Sequence, residues 1–218
     1  MNYCVIPIKK NSTRIPNKWM ATIGIHGETL FDEVYKQCVA SNIFDRIIIS
    51  GDIKPPNISC DDFYVRNKDE IDDPSVLIVI DHFIKNTHIN DGDTLTLIYA
   101  HAIFTKAQDL ILAHKMCKRY PDFYSIIAVS DNRKSLRSLT EEKKYLFEEY
   151  KYTPSQYLPQ IYMDAGQFYI FNLRYYKSKQ LLDEDSIYYM MPCYTIDIDY
   201  PAELEASKAL FNYQFLTI

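Results

Sequence analysis

The stretch that decides the fold is residues 3–18, which read YCVIPIKKNSTRIPNK. Its first four residues, Tyr3–Ile6, are an apolar run that is typical of a buried strand. The loop that follows carries four cationic side chains, which are Lys9, Lys10, Arg14 and Lys18. A cationic loop directly after a first strand predicts an anion-binding site, and a chain of phosphates is the anion that we expect there. Composition alone leaves open the alternative that the loop is a solvated basic turn.

The charge of this stretch is opposite in sign to that of the whole chain. The 218 residues have a formal net charge of −5, and no acidic residue occurs before Glu28. A small cationic region on an acidic protein favours a local anionic ligand over a general attraction to polyanions. We therefore expect no nucleic acid among the partners of this protein.

Length and composition predict a single domain that spans residues 1–218. The five cysteines are widely spaced and form no CxxC pair, so we expect reduced thiols. No apolar run approaches the roughly 20 residues that a membrane helix needs, and the first strand begins directly after Met1. These features predict a cytoplasmic protein that does not associate with membranes.

Strand and helix patterns alternate outward from the first strand. Strand patterns occupy residues 3–8, 46–50, 94–99 and 123–129, and helical spacing occupies residues 29–41, 74–86 and 106–119. This alternation predicts an α/β fold with a mainly parallel sheet and helices on both faces. In such a sheet the ligand binds beyond the carboxyl ends of the strands, where Lys9–Lys18, Asp52 and Tyr99–Phe104 lie.

The alternation stops at residues 130–160, which are rich in Lys, Glu, Ser and Tyr. We expect this segment to form a protruding lobe or arm outside the main sheet. Apolar residues return at Gly166–Phe171 and Tyr188–Ile198, and a final helix is predicted to begin at Pro201.

The basic loop contains no glycine, although phosphate loops commonly use glycine to bring backbone amides close to the oxygens. It matches neither a Walker loop nor a dinucleotide-binding fingerprint, which disfavours both of those enzyme classes. Phosphate binding would instead depend on Lys9, Lys10, Arg14 and Lys18, with Ser12 as a hydroxyl donor.

Two carboxylates near the end of the chain form a second candidate site. In an extended segment, Asp197 and Asp199 share one face while Ile198 points into the core. Two such carboxylates suit a magnesium ion that also contacts phosphates. The alternative is a strand edge whose acidic side chains face solvent. A third, weaker candidate is the turn Asp164–Tyr169, where Asp164 and Gln167 could offer hydrogen bonds to a polyol.

Taken in order, these segments resemble the acylneuraminate cytidylyltransferases, or CMP-sialic acid synthetases, and most closely their pseudaminic acid branch. Residues 6–18 resemble the family loop IPARGGSKRIPNK, and residues 42–52 resemble its "lfd-viVSTD" strand. The later motifs IYATAPF, DAGQFY and DIDTPED are matched by residues 98–104, 164–169 and 196–201. The resemblance covers nearly the whole chain, from Val5 to about Leu210.

This resemblance implies a Rossmann-like, three-layer fold of the nucleotide-diphospho-sugar transferase type, with a small dimerisation lobe at residues 130–160. It implies that CTP and an acidic nine-carbon sugar react to give a CMP-sugar and pyrophosphate, for surface glycans or flagellin glycosylation. The sugar's anomeric hydroxyl would attack the α-phosphate. A homodimer is also implied.

The resemblance also assigns roles to residues of this chain. Lys18 and Asp199 are the implied catalytic residues, and Asp197 and Asp199 are the implied ligands of Mg²⁺. The implied nucleotide-binding residues are Ile8, Lys9, Lys10, Asn11, Ser12, Arg14, Lys18 and Arg66. The implied sugar-binding residues are Tyr99, Gln156, Asp164 and Gln167.

Several residues depart from the family pattern. Lys10 and Asn11 replace the two loop glycines, and His101 replaces the threonine of the IYATAPF motif. Pro154 stands where the family usually has an arginine suited to a sugar carboxylate. These departures leave the identity of the sugar open. Two alternatives to the implied activity also stay open. One is a catalytically silent relative that binds a nucleotide or sugar, and the other is a nucleotidyltransferase that uses another base.

Overall fold

The structure is a computed structural model that describes residues 1–72, 75–178 and 180–216. In this part of the chain, the strands are β1 (Asn2–Pro7), β2 (Arg46–Gly51), β3 (Phe63–Val65), β4 (Thr94–Ile98), β5 (Ser125–Asp131), β6 (Tyr162–Asn172) and β7 (Ile187–Met190). The α-helices are α1 (Leu30–Ser41), α2 (Lys68–Asp72), α3 (Leu77–Asn86), α4 (Ala107–Arg119) and α5 (Pro201–Leu216).

All seven strands form one sheet in the order β3-β2-β1-β4-β6-β5-β7. Strand β6 runs antiparallel to both of its neighbours, and the other pairs are parallel. The segment that joins β5 to its antiparallel neighbour β6 contains only short 3-10 helices and no α-helix.

The core lies on both faces of this sheet, as the sequence predicted. Along β1, Cys4 and Ile6 belong to one apolar cluster, and Tyr3 and Val5 belong to the other. The first cluster includes buried side chains of α1, α4 and α5, and the second includes those of α3. Because alternate strand residues point to opposite faces, this distribution identifies a three-layer arrangement.

Most predicted elements lie within two residues of the observed ones. Helix α1 begins after Thr29, whose side chain and that of Asp32 form a reciprocal capping box with the backbone. Strand β5 begins at Ser125 rather than at residue 123. The predicted start of a helix at Pro74 lies outside the described residues, and α3 is described from Leu77.

Residues 132–161 lie outside the sheet, between β5 and β6. They contain three 3-10 helices (Arg133–Arg137, Glu148–Tyr150 and Ser155–Tyr157), and within the segment, all of which is described, only Leu136 and Leu158 are buried. The position agrees with the arm predicted at residues 130–160, and its role in dimerisation stays a prediction. None of the helices within the described ranges is long and apolar enough to cross a membrane.

Candidate active site

A pocket of about 270 Å³ opens at the carboxyl ends of β1 and β4. Its lining includes Ile8, Lys9, Ser12, Lys18, Arg66, Tyr99 and His101. The first five of these come from the predicted nucleotide-binding set. A larger hollow of about 590 Å³ lies around Asn2 and Thr94, at the opposite ends of the same strands. Ligands of parallel sheets bind at the carboxyl ends, so the smaller pocket is the candidate active site.

The basic loop keeps ordinary backbone angles despite its lack of glycine. Among residues 8–16, all of which are described, none has a positive φ, and the first left-handed residue is Asn17 with φ 51°. The glycine that this region needs lies on the neighbouring strand. A Cβ on Gly51 would come within 2.6 Å of the carbonyl oxygen of Ile8. Lysine and asparagine at positions 10 and 11 therefore cause no strain in this loop.

The first two lysines of the loop are held in different ways. Lys9 Nζ donates a hydrogen bond to the carbonyl oxygen of Ile71 at 3.1 Å. The backbone N–H of Lys10 donates to Asp52 Oδ1 at 2.8 Å, which places Asp52 beside the loop, as the sequence predicted. The side chains of Lys10 and Asn11 are exposed. Lys9 therefore faces the pocket with a positive charge that no carboxylate neutralises within 4 Å among the described residues.

Arg66 forms part of the pocket wall and is buried. Its Nη2 donates to the carbonyl oxygens of Ile8 at 3.1 Å and Ser50 at 3.3 Å. Burial lowers the pKa of Arg66, although the negative charges of Asp52 and Glu70 oppose the shift. Its buried Nε lacks a hydrogen-bond partner among the described atoms. The two carbonyl oxygens thus hold the Arg66 guanidinium in place, and its Nε donor has no partner among the described atoms. A positively charged side chain in this state suits an anionic ligand.

The other cations of the loop meet the acidic segment near the end of the chain. Arg14 Nη1 lies 2.9 Å from Asp199 Oδ2, and Lys18 Nζ lies 3.4 Å from Asp199 Oδ1. Lys18 Nζ also donates to the carbonyl oxygen of Ile198 at 2.6 Å. Burial lowers the pKa of Lys18, and the charge of Asp199 opposes this shift. The predicted catalytic pair Lys18 and Asp199 is thus brought together.

The start of helix α5 fixes Asp199. Glu203 Oε2 accepts hydrogen bonds from the backbone N–H of Asp199 at 2.7 Å and of Tyr200 at 2.8 Å. This is an interaction at a helix N-terminus, where free N–H groups need acceptors. Glu203 was not predicted from the sequence, although an acidic residue two positions after Pro201 is a signal for such a cap.

Asp197 is held by His101, which lies in the predicted range Tyr99–Phe104 but was given no role of its own. His101 Nε2 lies 2.9 Å from Asp197 Oδ1, and the imidazole stacks on Tyr99 with ring centroids 5.1 Å apart. Burial lowers the pKa of His101, although the hydrogen bond to Asp197 opposes the shift. Burial raises the pKa of Asp197, but its bond to His101 and the nearby charges of Lys18 and Arg14 outweigh burial, so its pKa lies below the usual value.

The segment that carries Asp197 and Asp199 is irregular rather than a strand. Ile198 is nevertheless fully buried, and the two carboxylates are partly exposed on the other side, as the alternation predicted. The alternative of acidic residues along a strand edge is therefore wrong in its geometry, because the described strands end at Met190.

The turn at Asp164 supports this segment from β6. Gly166 has φ 60°, and a Cβ there would come within 2.8 Å of Asp197 Cγ. Asp164 accepts hydrogen bonds from the backbone N–H of Gly166 at 2.9 Å and from Tyr169 Oη at 2.7 Å. Glycine is thus required at position 166 both for its backbone angle and for the approach of Asp197.

The predicted sugar-binding residues are in three different environments. Tyr99 lines the pocket, and burial raises the pKa of Tyr99 to about 12, so its hydroxyl stays protonated at neutral pH. Gln167 is fully buried, and its amide donates to the carbonyl oxygens of Ala165 and Gly166. In this conformation Gln167 shapes the turn rather than contacting a ligand. Gln156 is exposed in the segment between β5 and β6.

Three carboxylates outside the pocket also lie close together. Asp183, Glu184 and Asp185 form the one group of three potential metal ligands found in the described ranges. They lie just before β7, at the amino-terminal ends of the parallel strands and away from the pocket. Asp183 is already paired with Lys177 at 2.8 Å. Asp197 and Asp199 contact His101 and Lys18 of the pocket lining, and this position makes them the better candidate for a metal that acts on a nucleotide.

The whole chain was compared with known sequences and solved structures. No protein-family profile matches the chain. Pseudaminic acid cytidylyltransferases from two strains of Campylobacter jejuni subsp. jejuni, of serotypes O:2 and O:23/36, are each 28% identical to it. Each alignment covers 97% of this chain and 96% of the relative.

Solved structures of several cytidylyltransferases share the fold of this chain. A CMP:2-keto-3-deoxy-manno-octonic acid synthetase complexed with CTP superposes with a TM-score of 0.69 at 12% identity, over 98% of this chain and 99% of that one. The 2-C-methyl-D-erythritol 4-phosphate cytidylyltransferase of Francisella tularensis gives 0.67 at 14% identity, over 98% and 99%. The corresponding synthase of Anaerococcus prevotii gives 0.65 at 10% identity, over 97% and 96%.

These likenesses confirm the predicted fold class, an α/β fold of the nucleotide-diphospho-sugar transferase type. They also confirm the resemblance on which the residue roles depend: the chain is similar, over nearly its whole length, to the pseudaminic acid cytidylyltransferases of the acylneuraminate cytidylyltransferase family.

Proposed function

We propose that this protein is a CTP-dependent cytidylyltransferase that activates a nonulosonic acid, an acidic nine-carbon sugar. Its products are the CMP-sugar and pyrophosphate. The observation that carries the proposal is the meeting of Lys18 with Asp199 at the pocket, in a chain similar along its length to pseudaminic acid cytidylyltransferases. A silent relative would need no such pairing of a phosphate-binding cation with a metal-binding acid.

The triphosphate is bound by the loop after β1. Lys9 and Ser12 line the pocket, and Arg66 is held in its wall with a free donor. Arg14 and Lys18 approach from the other side, and Lys10 and Asn11 are exposed at the rim. In our proposal these groups bind the phosphates as cations and hydrogen-bond donors. The in-line attack of the sugar hydroxyl then depends on positioning and charge compensation.

Mg²⁺ is the cofactor in this proposal, with Asp197 and Asp199 as its ligands. The donor chemistry fits, because both are carboxylates, both are partly exposed, and Mg²⁺ prefers oxygen ligands. When bound, the ion neutralises charge that develops on the phosphates. Asp199 now pairs with Lys18 and Arg14, so phosphate binding by these cations would release Asp199 for the metal.

The sugar is placed against Tyr99 and the turn at Asp164. Gln156 lies in the segment between β5 and β6, which we propose as the dimerisation arm. This segment exposes large apolar side chains, including Leu139 and Tyr152, which are 64% and 84% exposed. Burial of such side chains in a homodimer would remove apolar surface from water. We place the reaction in the cytoplasm, where it would supply activated sugar for surface glycans or flagellin glycosylation.

The experiment that tests this function measures pyrophosphate release with CTP, Mg²⁺ and four sugars: pseudaminic, legionaminic and sialic acids, and Kdo. Release with one sugar establishes the reaction and names the substrate. The Asp199→Asn variant is the negative control, because it keeps the size of the side chain and removes its charge.

A parallel measurement separates the alternatives. CTP binding to the folded state raises the melting temperature, and GTP is the comparison nucleotide. Stabilisation by CTP without pyrophosphate release from any sugar would favour the silent relative. Stabilisation by GTP alone would point to another base, and no stabilisation by either would identify the loop as a solvated turn.

A further inference from the structure

His101 is a buried side chain in the pocket whose role follows from its position. It lies in the turn after β4, where Ala102 N–H donates to the Tyr99 carbonyl at 3.0 Å and Ile103 N–H donates to the His101 carbonyl at 2.9 Å. The residue is 8% exposed, and its ring stacks on Tyr99 with an interplanar angle of 19°. The turn and the stacking hold the imidazole at the edge of the pocket.

Asp197, by contrast, lies on an irregular segment outside the sheet. The segment pairs with no strand over its described length, and the side chain of Asp197 is 53% exposed. Gly166 leaves room beside the carboxylate, because a Cβ there would lie 2.9 Å from Asp197 Oδ2. The contact that orients the carboxylate is therefore the one from His101 Nε2 to Oδ1, at 2.9 Å.

We propose that His101 is a positioning residue that holds the Asp197 carboxylate so that its second oxygen, Oδ2, can bind the divalent cation. The proposal rests on the proposed function. It assigns to His101 the hydrogen bond of an outer-shell partner, and such partners typically change metal affinity 10- to 100-fold.

The chemistry favours an outer-shell donor over a ligand. A carboxylate oxygen only accepts hydrogen bonds when ionised, so the contact with Asp197 requires a proton on Nε2. A protonated Nε2 cannot ligate a metal ion at the same time. Imidazole also suits zinc, copper and nickel, whereas Mg²⁺ and Mn²⁺ suit oxygen ligands.

The test measures the affinity of the purified protein for Mn²⁺, used as a paramagnetic substitute for Mg²⁺, from the EPR signal of the free ion. His101→Leu removes the donor, and His101→Gln replaces the imidazole by an amide that can also donate. His114→Leu is the matched control, since His114 is equally buried but bonds to Thr96 away from the pocket. Urea unfolding of each variant verifies that it is folded.

We expect His101→Leu to weaken Mn²⁺ binding about 10- to 100-fold. We expect His101→Gln to restore most of the affinity and His114→Leu to keep it. Equal Mn²⁺ affinity of His101→Leu and the unaltered protein would overturn the proposal. So would a directly bound ¹⁴N in the pulsed EPR spectrum, because His101 would then be a ligand.

The proposed function has a separate readout. If the protein releases pyrophosphate and His101→Leu binds Mn²⁺ normally, the inference about His101 fails while the function stands. If the unaltered protein binds no Mn²⁺, the positioning role is overturned, and pyrophosphate release decides independently whether the reaction occurs.

Discussion

The two sides of the pocket hold their charges in different ways. On the side of β2, Lys9 and Arg66 donate to main-chain carbonyl oxygens, which carry no net charge. On the side of the chain's acidic segment, Lys18 and Arg14 both pair with Asp199. Among the described residues, neither Lys9 nor Arg66 forms an ion pair within 4 Å. The first side can therefore bind an anion without breaking an ion pair, whereas the second must exchange one ionic partner for another.

This difference indicates what binding of a triphosphate requires. The first side supplies affinity directly, because its cations keep their charge available for phosphate. On the second side, part of the attraction to phosphate is offset by the loss of the pairs with Asp199. The second side is thus suited to linking nucleotide binding to the release of the Asp199 carboxylate. The following variants test this difference between the two sides.

The largest expected effect is that of Asp199→Asn. The variant removes the negative charge that both Lys18 and the proposed metal need, so we expect turnover to fall by roughly 10³-fold with little change in folding. Pyrophosphate release and urea unfolding measure the two quantities. Asp185→Asn, an exposed acid outside the pocket, is the matched control. A variant with full activity would exclude the magnesium role of Asp199.

The second variant, Gly166→Ala, lies on β6 and disturbs the acidic side of the pocket. Gly166→Ala forces a Cβ against Asp197 at a position with φ 60°, so we expect a loss of about 1–3 kcal/mol of unfolding free energy together with reduced turnover. Gly92→Ala is the control, because Gly92 has φ 89° with nothing within 4 Å of the added Cβ. Comparable losses of turnover in both variants would contradict a specific contact with Asp197.

The difference between the two sides predicts which of two lysine variants loses more CTP affinity. We expect Lys9→Ala to weaken CTP binding about 10- to 100-fold, because a charge-assisted bond to phosphate contributes about 1.5–3 kcal/mol. Lys18→Ala should weaken it less, since Lys18 must first leave Asp199. Isothermal titration with CTP measures both. A larger loss for Lys18→Ala would reverse the division, and no loss for either would identify the loop as a solvated turn.

The smallest expected effect is that of Arg14→Ala. The side chain of Arg14 is 48% exposed, and an exposed ion pair is weakened by solvent screening. We expect CTP affinity to fall no more than about fivefold, with the difference shrinking further in high salt. The guanidinium carbon of Arg14 lies 5.3 Å from the centre of the Tyr200 ring. Titrations at two salt concentrations check the prediction, and a salt-independent loss would show that Arg14 acts through this packing rather than through charge.

The sequence predicted the features that depend on local pattern. The parallel strands, the position of the basic loop and the inward side of Ile198 follow from hydrophobic alternation, which is a local signal. The direction of β6 could not be predicted, because it depends on how the preceding segment crosses the sheet.

The contacts that complete the candidate site were harder to predict. His101 was identified as a departure from a motif, but its contact with Asp197 joins residues 96 positions apart and has no local signal. Gln167 illustrates the opposite problem, since a polar side chain in a glycine turn was interpreted as a ligand contact and is instead bonded to its own turn. Conversely, the loop needs no glycine because its φ angles are negative, and the close backbone contact lies instead between the Ile8 carbonyl and Gly51 on the neighbouring strand.

The bond from Lys18 to the Ile198 carbonyl joins residues 180 positions apart in sequence. At a ribosome that adds about 5–20 residues per second, Lys18 emerges many seconds before its partner. The basic loop therefore exists during most of synthesis without the acidic segment that completes the site. A nascent chain that ends before Asp199 would present Arg14 and Lys18 without their carboxylate, so these ion pairs can form only after the acidic segment has been synthesised.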